Sequence, residues 1–143
     1  MYNTTLFPSL VYNKFDKIIF EDIDKIQLNE DGKPICLYRI NTYHYDTHIK
    51  CNLMIEKIVA YTPQGYWLGS PGYKTVSGKV VPPNKSRWIN ASSKKRYAYP
   101  TKREAIESFL LRKKRYVIHC ERRFGVAKEE LALAQELLIY TLG

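Results

Sequence analysis

No residue spacing in this chain matches a metal site. Cys36, Cys51 and Cys120 are odd in number, far apart and outside any CxxC or Cys/His arrangement. That excludes a disulfide framework and a zinc cluster, and the three thiols read as small buried hydrophobes of a reducing cytosol. His44, His48 and His119 form no HxxxH, HxH or HExxH pattern, and only His44, Asp46 and His48 stand close enough to converge in a strand or turn. Also missing are a glycine-rich phosphate loop, a GxSxG elbow and a carboxylate pair in the basic region that would hold Mg²⁺ for phosphodiester chemistry. A binder is therefore expected rather than an enzyme, with no cofactor and no metal. No run approaches the eighteen or so apolar residues that span a bilayer, and the opening MYNTTLFPSL has neither the basic nor the continuous apolar region of a secretory leader. The expectation is a soluble protein that works where it is made.

Acids are scarce where bases are dense. Thirteen of the 23 Lys and Arg residues lie between Lys85 and Arg123, a stretch with only Glu104, Glu107 and Glu121 to oppose them, while the whole chain carries +9. Trp88, Tyr97, Tyr99, Phe109 and Tyr116 are interleaved with those charges, placing phosphate donors beside flat faces that suit a base or ribose. An anionic partner is implied, either nucleic acid or a nucleotide. With 143 residues, 45% of them hydrophobic, the chain fits one domain over residues 1–143 with a real core.

The periodicity predicts an α+β fold, an antiparallel β-sheet over about 18–99 packed against a C-terminal two-helix hairpin over about 101–142. IDKIQL and PICLYRINTYHY flank Asn29-Glu30-Asp31-Gly32, whose Asp-Gly is a hairpin signal. Met54 to Thr62 reads as a strand, Pro63-Gln64-Gly65 as a turn and Tyr66-Trp67-Leu68 as its return, and Gly69 to Asn84 as an exposed loop. Arg87 to Asn90 and Arg96 to Tyr99 are two more short strands around Ser92-Ser93-Lys94. Thr101 with Glu104 is a capping box that starts a helix from Lys102 to about Phe124. Gly125 is expected to end that helix in a left-handed turn, with a second helix from about Lys128 to Tyr140.

Arg112, Arg115, His119 and Arg122 recur at intervals of three and four along one helical edge and make a basic ridge. Arg matches phosphate bidentately, so the ridge is a candidate for a diphosphate, the alternative being an ordinary solvated face. Arg103 lies in the first helical turn, where the helix dipole disfavours a cation and favours an anion. Trp88, Tyr97 and Tyr99 are candidates for stacking on a base or for the core, and Asn90 for a base edge or ribose hydroxyl. Arg39, between Tyr38 and Ile40 in an apolar strand, faces either solvent or a site. Leu111 and Ile118 share an otherwise polar helical face, which suggests contact with a second copy.

YTPQGYW, then RWIN, then KKRYAYPTKREAIESFLLRKKR, within Tyr61 to Arg115, resembles a group of small phage proteins that includes the Thoeris anti-defence sponges of the first described type. The resemblance implies a phage protein, in the host bacterial cytoplasm, that captures a cyclic ADP-ribose isomer made by a TIR-domain enzyme without degrading it. It also implies a homodimer or higher homo-oligomer, a β-sheet with a helical hairpin, and in some members uptake of cyclic oligonucleotides. Carried onto this chain, the ligand contacts would be Trp88, Asn90, Arg103, Arg112 and, from the early strand, Arg39; the ridge adds Arg115.

Overall fold

The computed structural model describes residues 15–46 and 48–143, so the opening residues read above for a leader lie outside it. The strands are β1 (Cys36–His44), β2 (Ile49–Thr62), β3 (Gly65–Ser70), β4 (Tyr73–Lys74), β5 (Val80–Val81) and β6 (Asn84–Asn90), followed by a single helix, α1 (Lys102–Leu142). β1, β2, β3 and β6 form an antiparallel meander in that order, and β4 pairs with β5 in a separate ribbon. The chain divides into two compact units between Phe109 and Leu110.

In the first unit, strand alternation sends the odd and even residues of β1 into two cores. Leu37 packs with Leu68, Ile89 and Ala98 on one face, while Cys36, Tyr38 and Ile40 pack with Ile19 and Ala105 on the other. β1 is thus buried on both sides although it ends the strand order. Its outer edge is closed by Tyr99: the Tyr38 N–H donates to Tyr99 O at 2.6 Å, and the Tyr99 N–H donates to Tyr38 O at 2.9 Å. Arg96 to Tyr99, read as a strand, is reduced to that single bridge. The Arg96 guanidinium curls the preceding chain into a turn by donating to Ser93 O, at 2.6 Å, and to Ala91 O.

The Asn29–Gly32 turn forms as expected, with Gly32 at φ +74° and Asn29 Oδ1 accepting from the N–H groups of Asp31 and Lys33. Its first arm amounts to one bridge, Leu28 to Pro34, and the main hairpin is instead β1 to β2. β2 begins at Ile49, five residues before the expected start, because Lys50 and Cys51 pair with Tyr43 and Thr42. The stretch read as a loop holds the β4–β5 ribbon. Gly65 and Gly69 allow β6 to lie close: a Cβ on either would sit 1.9 Å from Ile89 O or 1.7 Å from Asn84 O.

The two-helix hairpin is not formed. α1 runs unbroken from Lys102 to Leu142, and Gly125 is an ordinary helical residue rather than a left-handed stop. One helical glycine costs only about 1 kcal/mol relative to alanine. No proline follows it, and Ala127, Lys128, Glu129 and Glu130 are strong helix formers. The expected start holds: Thr101 Oγ1 accepts from the Glu104 N–H at 3.2 Å and its hydroxyl donates to Glu104 Oε1 at 2.8 Å. In the second unit, Leu110 to Gly143, every residue is exposed except the half-buried Arg112 and Val117. No helix among the described residues is long and apolar enough to cross a membrane.

Candidate anion-binding site

β1 carries Arg39 and Asn41 on the face of Leu37, and β6 carries Arg87 on the face of Ile89, because alternate strand residues share a side. Both guanidinium groups converge on Tyr97, which arrives on the segment leading from β6 back to β1. The Arg39 guanidinium carbon lies 4.2 Å from the Tyr97 ring centroid and that of Arg87 lies 3.8 Å from it. Each contact stabilises by about 0.5–2 kcal/mol. Arg39 is further fixed by its Nε–H, which donates to Asn41 Oδ1 at 3.1 Å, and by an Nη1–H, which donates to Tyr97 O at 2.7 Å.

Neither Arg39 nor Arg87 has a carboxylate partner among the described residues. Arg39 is half-buried and its hydrogen bonds go to neutral oxygens, so its charge stays uncompensated. Two like charges are thus held against one ring without an acid between them, and phosphate oxygens are the acceptors that planar guanidinium forks match. Asn52, opposite Asn41 in the β1–β2 register, extends the polar strip along the same face. Its Oδ1 is buried and accepts no hydrogen bond among the described residues, and the Asn41 Nδ2–H donates to Met54 Sδ at 2.7 Å. An amide at Asn41 bonded to Arg39 suits a guest with hydroxyl groups as well as phosphate oxygens.

The residues expected from the sequence are not gathered there as a set. Trp88 and Asn90 alternate with Arg87 and Ile89 and so lie on the opposite face of β6; Trp88 is the register partner of Trp67 and is 39% exposed. Asn90 organises the following turn, its Oδ1 accepting from the Ser92 N–H at 3.0 Å and the Ser92 hydroxyl at 2.8 Å. Arg103 is held by Asp24 through its Nε at 2.5 Å and an Nη at 3.0 Å, which explains a cation in the first helical turn without a ligand. The same bonds hold the Asp24 carboxyl below its ordinary pKa. Arg112 and Arg115 belong to the second unit, the first half-buried and the second exposed.

Sequence reading missed Arg87, Asn52 and Lys102. Arg87 was legible, since alternation from the apolar Ile89 puts it on the core face. Asn52 was not, because the strand was expected to begin beyond it. Lys102 is buried, 6% exposed, and its ammonium donates to Ile18 O at 2.5 Å and Glu21 O at 2.7 Å, pinning the 3₁₀ turn Lys17–Phe20 to the start of α1. That role depends on contacts more than eighty residues away in sequence.

On the other face of β1 and β2, Ile19, Ile40, Cys51, Ile106 and Phe109 help line a cavity of about 280 Å³ whose walls are all apolar, unsuited to phosphate. No group of three or more His, Cys, Asp or Glu residues that would hold a metal ion occurs among the described residues. Cys36 is buried and Cys51 half-buried, whereas Cys120 is exposed, unlike the buried hydrophobe expected. Comparisons with protein-family models, curated proteins and solved structures find no match.

Proposed function

We propose that the protein is a non-enzymatic sponge that binds and holds a small phosphorylated nucleotide of the cyclic ADP-ribose class. In this reading a phage makes it in the host bacterial cytoplasm to intercept the signal of a TIR-domain immune enzyme. The observation that carries the reading is the pair of carboxylate-free guanidinium groups, Arg39 and Arg87, set on the Tyr97 ring beside Asn41 and Asn52. Arginine forks suit the diphosphate, and the amides suit ribose hydroxyls. Cyclic oligonucleotides present the same phosphate and hydroxyl chemistry.

The test mixes the protein with a cyclic ADP-ribose isomer, removes the protein by ultrafiltration, and assays ligand in the filtrate and in the retained fraction after heating. The sponge reading expects depletion of the filtrate and release of intact ligand on heating; release of a cleaved product would mean an enzyme. A second reading, a small phage nucleic-acid-binding protein, is favoured by the exposed cations Arg115, Arg122 and Arg123 along α1. It expects no uptake of the small ligand and retention of DNA that falls steeply with salt.

A further inference from the structure

From Val117 to Leu138, α1 places Val117, Cys120, Phe124, Ala127, Leu131, Ala134 and Leu138 at alternating steps of three and four, the spacing of a two-stranded helical seam. Phe124, Leu131 and Leu138 are 64%, 59% and 58% exposed, so the seam is uncovered within one chain. We propose that this segment pairs antiparallel with the same segment of a second copy, in the register that sets Phe124 against Ala127 of the other copy. The inference is independent of the ligand proposed above.

Two features select that arrangement. The first is side-chain size. Along the seam, large residues (Val117, Phe124, Leu131, Leu138) alternate with small ones (Cys120, Ala127, Ala134). A parallel pair stacks like on like, Phe124 on Phe124 and Ala127 on Ala127, giving layers too wide and then too narrow. An antiparallel pair sets large against small from Val117 to Ala134, with Val117 against Ala134, Cys120 against Leu131 and Phe124 against Ala127, while Leu138 falls level with Lys113 at the end of the seam.

The second feature is charge. The positions flanking the seam are Lys114, Glu121, Lys128 and Gln135 on one side and Tyr116, Arg123, Glu130 and Leu137 on the other. In an antiparallel pair each flank meets itself. The chosen register sets Glu121 level with Lys128 and Arg123 level with Glu130, each twice by symmetry, and leaves no like charges opposed. Sliding one helix by a heptad in one direction opposes Glu130 to Glu130 and Lys128 to Lys128. Sliding it the other way opposes Arg123 to Arg123 and Glu121 to Glu121. An in-register parallel pair opposes Arg123 to Lys128. Leu111 and Ile118, read from the sequence as an oligomer contact, lie outside this seam.

Cys120 makes the geometry testable in the full chain. In the antiparallel register it faces Leu131 of the other copy, whereas in a parallel pair it faces Cys120. Mild oxidation of Leu131→Cys should yield a disulfide-linked dimer in which peptide mapping finds Cys120 of one copy joined to the thiol introduced at position 131 of the other. Adding Cys120→Ser in that background should abolish the bridge. The unsubstituted protein should be dimeric or larger by light scattering yet form no Cys120–Cys120 bridge. As a check independent of oxidation, Glu121→Lys should weaken association roughly 3- to 10-fold, with Lys128→Glu in the same chain restoring it. A monomeric mass at micromolar concentration, a Cys120–Cys120 bridge, or no rescue by the second charge change would overturn the proposal.

Discussion

Lys102 shows how a charged residue can serve structure alone. Its ammonium donates to the carbonyl oxygens of Ile18, in the Lys17–Phe20 turn, and of Glu21, which follows it, and lies near the Tyr38 ring, at 5.8 Å from the centroid. Lys102→Met would keep the aliphatic stem and leave Ile18 O and Glu21 O without their donor. Hydrogen bonds to charged groups contribute about 1.5–3 kcal/mol each, so the substitution should lower unfolding stability by about 3 kcal/mol in urea titration. A loss below about 1 kcal/mol would show that the turn is held by other means. Tyr38, in the same core, gives the fold an alkaline limit. Burial, helped by its hydrogen bond to the Cys36 thiol, pushes its phenol from an ordinary 10 up to about 12. A phenol raised in the folded state favours the native protein fully below pH 10, and that stabilisation is lost as pH rises from about 10 towards 12. Urea midpoints between pH 9 and 12 should therefore fall less for Tyr38→Phe than for the parent, and equal slopes would contradict this origin.

At the scale of elements, the unbroken α1 is the largest departure from what the residues suggested, and Gly125 is where it turns. A glycine after a helical stripe looks like a stop, yet the three-and-four spacing continues through it from Val117 to Leu138. Reading that spacing as one period, rather than as two helices with a shared composition, would have given the observed helix. Gly125→Ala separates the two readings. In the helix interior, where a Cβ at this position would meet no atom within 4 Å, alanine should stabilise by about 0.4–1 kcal/mol and raise the thermal midpoint followed by circular dichroism. A left-handed cap would instead be destabilised by alanine. The sheet was more legible: the Asn29–Gly32 turn, the strand through Thr62, its return from Tyr66 and the capping box at Thr101 all follow from local chemistry. What local chemistry cannot supply is pairing across distance. The bridge that reduces Arg96 to Tyr99 to an edge contact joins residues far apart in sequence, and so does the convergence of Arg39 and Arg87 on Tyr97.

The whole molecule divides its positive charge between two settings. In the first unit, Arg39 and Arg87 are held in fixed positions against an aromatic ring, as a small, shaped anion requires. In the second, exposed bases follow a helix whose seam fits another copy of itself. The basic stretch from Lys85 to Arg123, legible at once as the place of function, is therefore divided between the two units: composition locates charge and topology assigns it. Of the candidates drawn from the sequence, Arg39 lies in the proposed site, Arg103 is paired with Asp24, and Asn90 organises a turn. The measurement closest to the central claim is equilibrium uptake of a cyclic ADP-ribose isomer by the parent and by Arg87→Ala at equal concentrations, with thermal midpoints recorded alongside. The expected result is intact, heat-releasable ligand bound by the parent, about 10- to 100-fold weaker binding by the variant, and a midpoint lowered by only a few degrees, as loss of one exposed cation–π contact of about 0.5–1 kcal/mol implies. Equal affinity in the two proteins, or no uptake by the parent, would contradict the account.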